Sequence, residues 1–316
     1  MLVLTVLLAA AVSAVSARPS APTVSPAAPP ESATRYYAMT AHVRPFLIWM
    51  TREDVGGARI SWEGAQGADE SLELLIGSDP ERAPMAINRW GFVSERTLGG
   101  TTQLTGLMTE TDEQSIDAAR TNAAAMGANH MFRSIRATVC DGEATSVVSR
   151  VAAADFTYRQ YQTLLDRLPA MGNPGPTKRI RVGPDTEPGF LIAVRRMVHA
   201  SVSDWQATGR VEAPARLRFV YAGNLFELAL TQAAVVKDAV VNDRNYGQAI
   251  EGQFQIRNLV TASLTPFTML FAATGTDTET PLRIVYRPRW WVELELRLVD
   301  PRASRNAFAF RIGSRQ

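Results

Sequence analysis

The stretch GQFQIRNLVTASLTPFTMLFAATGTDTETPLRIVYRPRWWVELELRLVD, residues 252–300, decides the fold class. It alternates apolar and polar residues in three consecutive runs, the pattern of strands with one buried face. Val292, Leu294, Leu296 and Leu298 share one face and Glu293, Glu295 and Arg297 the other. Leu282, Ile284 and Tyr286 repeat the period, as do Phe267, Met269 and Phe271 before them. Residues 274–281, with one Gly, one Pro and several short polar side chains, read as a turn between the last two runs. The expectation is an antiparallel β-meander with one wet face.

Working back from the meander, residues 216–221 and 224–230 read as a hairpin about Ala222-Gly223, and 238–247 as a polar loop. Residues 189–202 fit strand or helix, and their Val/Ile content favours strand. Further upstream, 42–50, 54–62 and 72–76 read as strands, and 89–95 with 103–108 as a hairpin across Gly99-Gly100. Residues 131–140 and 146–158 flank Asp141-Gly142, a two-residue hairpin signal. Two helices interrupt this half. One spans about 112–126, with Thr111 and Gln114 at capping-box spacing and Gly127 as its stop; the other spans 161–168 and ends at Pro169. The whole is a mainly β, α+β protein: an antiparallel curved sheet or partly closed barrel with one or two short covering helices.

The 316 residues suffice for a full hydrophobic core. Residues 35–170 form a strand-rich N-terminal half and 177–316 an antiparallel β C-terminal half, in one domain or two, with MGNPGPT at 171–177 as the boundary. The first 17 residues are apolar, Ala-rich and end in Val15-Ser16-Ala17, which predicts a signal peptide cleaved after Ala17 and a secreted or periplasmic address. No Lys or Arg precedes the run, so an uncleaved anchor or a start further upstream are the competing readings. No Cys stands near residue 17, which excludes a lipoprotein, and no integral span is expected in the mature chain. Residues 18–34, RPSAPTVSPAAPPESAT, read as a disordered Pro/Ala/Ser linker.

A formal net charge of +2 gives no electrostatic ground for nucleic acid. There is no G-x-S-x-G elbow, no H-E-x-x-H, no C-x-x-C, no phosphate-cradling Gly loop, and Cys140 stands alone. No catalytic residue, metal ligand or cofactor is therefore assigned. A hydrolase would need His42, His130 or His199 to meet a partner in space. Glu293 and Glu295, two apart on one strand face, have the spacing of paired carboxylates, but also that of any wet strand face with Arg283 and Arg297 nearby.

Two clusters are candidate ligand-binding residues: Arg287, Arg289, Trp290 and Trp291, and Arg89 with Trp90. Guanidinium groups beside indoles bind anionic or flat ligands by charge and stacking. The competing reading has one Trp capping the core and the arginines solvated. With GSDPERAP, NRWGF and PLRIVYRPRWWVELEL in view, the chain resembles a family of uncharacterised secreted bacterial proteins found mainly in Gram-negative organisms. Its last third is similar in outline to periplasmic β-rich domains of unknown function, a likeness that implies a sheet closing on a concavity. The function expected is a non-catalytic binding or accessory protein of the envelope, taking a hydrophobic or amphiphilic small molecule or an envelope protein as partner. The alternatives are a secreted hydrolase with a spatially assembled site and a structural subunit of an envelope complex.

Overall fold

A computed structural model describes residues 32–44, 49–84, 87–109, 131–152, 156–171, 175–289 and 292–300. The helix expected at 112–126 lies outside the described residues, as do the signal peptide expected at 1–17 and residues 301–316.

The chain opens with seven strands: β1 (Ser32–Val43), β2 (Met50–Glu63), β3 (Glu70–Ser78), β4 (Trp90–Leu98), β5 (Thr101–Thr109), β6 (Met131–Cys140) and β7 (Glu143–Ala152). Helix α1 (Tyr161–Met171), strands β8 (Thr177–Arg181) and β9 (Thr186–Glu187), and helix α2 (Phe190–Thr208) follow. Then come β10 (Ala215–Tyr221), β11 (Asn224–Val236), β12 (Val240–Val241), β13 (Arg244–Asn245), β14 (Ala249–Asn258), β15 (Leu264–Ala272), β16 (Pro281–Arg289) and β17 (Val292–Val299). All but β12 and β13 join one 15-stranded sheet in the order β8-β7-β6-β5-β4-β3-β2-β1-β17-β16-β15-β14-β11-β10-β9. The pairing of β1 with β17 splices the two halves of the chain into one curved surface. The sheet is not closed by hydrogen bonds between its end strands. Across the gap the β10–β11 turn sits against β7 and β8, with Lys178 Nζ 2.6 Å from Asn224 Oδ1.

The local rules hold at the hairpins. Asp141 (φ 51°) and Gly142 (φ 73°) both take the left-handed conformation that a two-residue turn between right-twisted strands requires. The closing meander is β14 to β17, in antiparallel register throughout. On β4, Trp90 and Phe92 point to the convex side, where α1 covers them with Tyr161, Leu164 and Leu168. Glu95, on the opposite face, points into the concavity.

Several expectations are corrected. The strand reading of 189–202 fails: α2 is a helix, burying Ala193, Met197, Ser201 and Val198, Val202 at four-residue spacing. Its Gly209 C-cap (φ 71°) donates to Trp205 O at 2.7 Å. The 3.6-residue stripe outweighs β propensity once a concave sheet is available to bury it. Helix α1 runs past Pro169, because a proline in the last turn removes only one backbone bond. Strand β1 begins at Ser32, inside the stretch expected as linker, because pairing with β2 from Ser32↔Glu63 onward satisfies its backbone. Within 42–50, β1 ends at Val43 and β2 begins at Met50, and the loop at 238–247 carries the short β12–β13 pair.

Candidate functional site

Concavity in a curved sheet invites a ligand cavity, but here α2 occupies it. The helix packs Met197, Val198 and Val202 against Phe219, Leu228, Phe254 and Phe271 of the C-terminal strands. Its other flank reaches the N-terminal strands: Arg195 Nη1 donates to Glu70 Oε2 of β3 at 3.0 Å. At its N-terminus the Glu95 carboxylate accepts the backbone N–H of Leu191 (3.0 Å) and of Ile192 (2.9 Å). A helix starts with unpaired N–H groups and a positive dipole end, so a carboxylate from β4 completes it. Glu95 is 0% exposed. Burial pushes its carboxyl up to about 7, against the N–H bonds from Ile192, Leu191 and Phe190, and nearby Glu70 adds to the rise. With no solvent path and both oxygens held by backbone, Glu95 is a clasp between sheet and helix.

Among the described residues, two clefts open to solvent bear on a site. One of about 500 Å³ is lined by Glu70, Thr102, Cys140, Gly142, Thr186 and Arg196. Arg196 is held by Glu187 at 2.8 Å, and the Cys140 thiol donates to Asp141 Oδ2 at 3.1 Å. The other, about 420 Å³, is lined mainly by polar groups of β1 to β3, including Thr34, Tyr36, Arg59 and Glu73. Neither contains a residue expected from the sequence to bind a ligand.

The end of the sheet where Arg287 lies has a different character. Three neighbouring hairpins, β1–β2, β16–β17 and β14–β15, turn at this end. Met50 pairs with Val43, Val43 with Val292, and Val292 with Arg289, so the first two end in one row. Leu264 and Arg289 each lie three residues beyond the Phe267↔Tyr286 pair, which brings the third level with them. Along this edge Trp49 (41%), Met50 (61%), Leu259 (40%), Val260 (69%), Leu264 (53%) and Tyr286 (36%) stand exposed. They are six of the nine large apolar side chains exposed among the described residues, the others being Leu98, Val235 and Val240. The β14–β15 turn is ordered: Asn258 Oδ1 accepts the N–H of Val260 (2.8 Å) and of Thr261 (3.1 Å), so Leu259 and Val260 are held outward. Arg287 and Arg44 lie over the Trp49 ring at 5.7 and 5.9 Å. Arg287 is also paired with Glu293, its Nε 3.1 Å from Oε2.

Of the residues singled out in sequence, Arg287 therefore belongs to this edge. Arg289 ends β16, and Trp290 and Trp291 lie outside the described residues. Arg89 and Trp90 are elsewhere, and Trp90 is corrected from ligand contact to core. It is 3% exposed, tilted against Phe132 at 4.9 Å, with its indole N–H donating to Phe156 O at 3.1 Å. Gly77 permits this, since a Cβ there would lie 2.5 Å from Trp90 Cβ. Arg89 donates to the carbonyl of Asn88 at 3.4 Å. What the sequence reading missed was Trp49, Met50, Leu259, Val260 and Leu264. For Leu259 and Val260 the signal was apolar residues at turn positions, where polar ones are the rule.

Glu295 is also corrected: expected on a wet face, it is 7% exposed beneath basic side chains. Arg297 holds both its oxygens at 3.0 Å, and His42 Nε2 and Arg283 Nε lie at 3.5 and 4.0 Å. Burial pushes its carboxyl up, but the pairing with Arg297, His42 and Arg283 outweighs this and holds it below the usual carboxylate range. Stability from such a group is present above the carboxylate range and lost as pH falls. Glu295→Gln should cost about 1 kcal/mol in urea melts at neutral pH, since half-exposed arginines screen the pair, and less in acid. An equal cost at both pH values would remove the charge from the explanation.

His42 Nδ1 meets Thr51 Oγ1 at 2.9 Å, and His199 meets Glu279 at 2.6 Å. Neither lines either cleft, and His130 lies outside the described residues. No group of three or more His, Cys, Asp or Glu among the described residues could hold a metal ion. No helix among them is long and apolar enough to cross a membrane.

No family model matches the chain, and no curated protein matches it. Among solved structures it is similar to a β-barrel-like protein of a domain of unknown function from Brucella abortus. The two are 9% identical with a TM-score of 0.38, over 84% of this chain and 95% of that one.

Proposed function

We propose that this is a non-catalytic binding or accessory protein of the cell envelope, exported by its N-terminal leader, which engages a hydrophobic or amphiphilic ligand or partner at the hairpin-tip edge. One observation carries the reading: exposed large apolar side chains, scattered singly on most surfaces, are here concentrated at neighbouring strand ends beside Arg44 and Arg287. The filling of the concavity by α2 moves the expected contact from the interior to the edge. Native mass spectrometry of the protein recovered from the envelope fraction tests this. A lipid-sized adduct or a partner retained by the wild type and lost from Val260→Ser/Leu264→Ser is the expected result. An unaccompanied chain beginning at Arg18, with the double variant behaving identically, would sink the binding role while supporting export.

A further inference from the structure

We infer that the hairpin-tip edge docks peripherally on an anionic lipid bilayer, an inference that rests on the proposed binding role and specifies its partner. The geometry is that of an interfacial anchor. The described strand ends span six neighbouring strands, from β2 to β14, roughly 24 Å at ordinary strand spacing. Trp49 stands just before β2 and Met50 begins it, Leu259 and Val260 lie on the β14–β15 turn, Leu264 begins β15, and Tyr286 lies near the end of β16. A protein-binding patch buries such residues in a shaped, continuous core ringed by polar groups. Points on the rim of a sheet suit a fluid interface, which accommodates separate insertions 5–10 Å deep, on the scale set for interfacial helices, about the reach of one side chain past its turn. Trp and Tyr bodies favour the headgroup level.

Charge complements this. The described side chains at these strand ends include Arg44, Arg52, Arg257 and Arg287, against Glu53 and Glu293. Glu293 is tied to Arg287, while Arg52 and Arg257 are exposed and form no ion pair among the described residues. Arginines just behind apolar tips meet phosphate oxygens when the tips insert. The Asn258 side chain holds the β14–β15 tip in its displayed form before any contact, so little ordering opposes insertion.

Vesicle co-sedimentation of the purified full chain tests the inference, with phosphatidylcholine vesicles made with or without phosphatidylglycerol. The wild type should pellet with the anionic vesicles and be released by salt. Met50→Ser/Val260→Ser/Leu264→Ser should pellet at least about tenfold less, from the lost apolar insertion, with an unchanged thermal melt. Leu98→Ser/Val240→Ser, exposed elsewhere, should pellet as wild type. Should the triple variant melt early, Val260→Glu alone provides the same readout. No pelleting with either vesicle, or equal pelleting by the triple variant, overturns the inference. A soluble lysolipid added as monomer separates the two levels: binding to it without binding vesicles leaves the proposed ligand role standing and removes the bilayer. Binding to neither, with the chain instead retaining a protein or a second copy through these tips, removes the lipid partner.

Discussion

Alanine at position 189 should destabilise the fold by about 3 kcal/mol or more. Gly189 is extended at φ −158°, a conformation open to every residue, so the cost is steric. A Cβ there would lie 2.2 Å from Glu95 Oε2 and 2.6 Å from Oε1. The carboxylate has nowhere to go, since it is fully buried and both oxygens accept N–H groups from the first turn of α2. Moving it would leave a buried carboxyl group and two buried donors unmatched. Urea melts of the single variants and the double variant in a cycle with Glu95→Ala check the mechanism. Gly189→Ala should cost under about 1 kcal/mol once the carboxylate is gone. Additive losses would mean that the glycine is needed for some other reason.

Glu95 should also make the fold less stable as pH rises. Its carboxyl is raised in the folded state from 4.5 to about 7, so the folded protein holds a proton that the unfolded chain has already released. That contribution is fully present below about pH 4.5 and is lost as pH climbs to about 7. A shift of this size amounts to about 3 kcal/mol. Glu295 acts in the opposite direction, its depressed carboxyl stabilising the fold above the carboxylate range. The quantity to measure is therefore the difference between wild type and Glu95→Gln across pH 4–8. The wild type should lose about 3 kcal/mol relative to the variant over that span. A difference that does not change with pH would show that Glu95 stays ionised, its helix-terminus bonds outweighing its burial.

Both predictions turn on a contact between residues almost a hundred positions apart, and that distance explains much of what could be read in advance. Hairpins were legible because their determinants are local: Asp141-Gly142 and Ala222-Gly223 specify turns, and the runs beside them alternate with period two. The meander at β14 to β17 was legible for the same reason. Helix α2 was not, because Phe190 to Val202 carries enough Val, Ile and Phe to suit a strand. Its choice was settled by the N-terminal carboxylate from β4 and by the concave sheet that buries Met197 and Val202. Trp90 was misjudged because an Arg-Trp pair in a loop looks the same whether its indole faces water or lies under α1. Arg287 could be picked out, but its neighbours Trp49 and Leu259 come from hairpins that only the sheet order brings alongside.

The amino-acid sequence alone determined that this chain is a mainly antiparallel β protein, where most strands and their turns lie, and that Arg287 stands at the end of a strand. Periodicity and turn chemistry act within a few residues, and they are written in the order of the letters. Only the tertiary structure decided that the concavity is filled by a helix, that Glu95 is its clasp, and that the strand ends carrying Met50, Val260 and Leu264 share one edge. Each depends on pairing β1 with β17 and on curvature summed over 15 strands. Those long-range contacts bring together groups whose local surroundings carry no mark of one another.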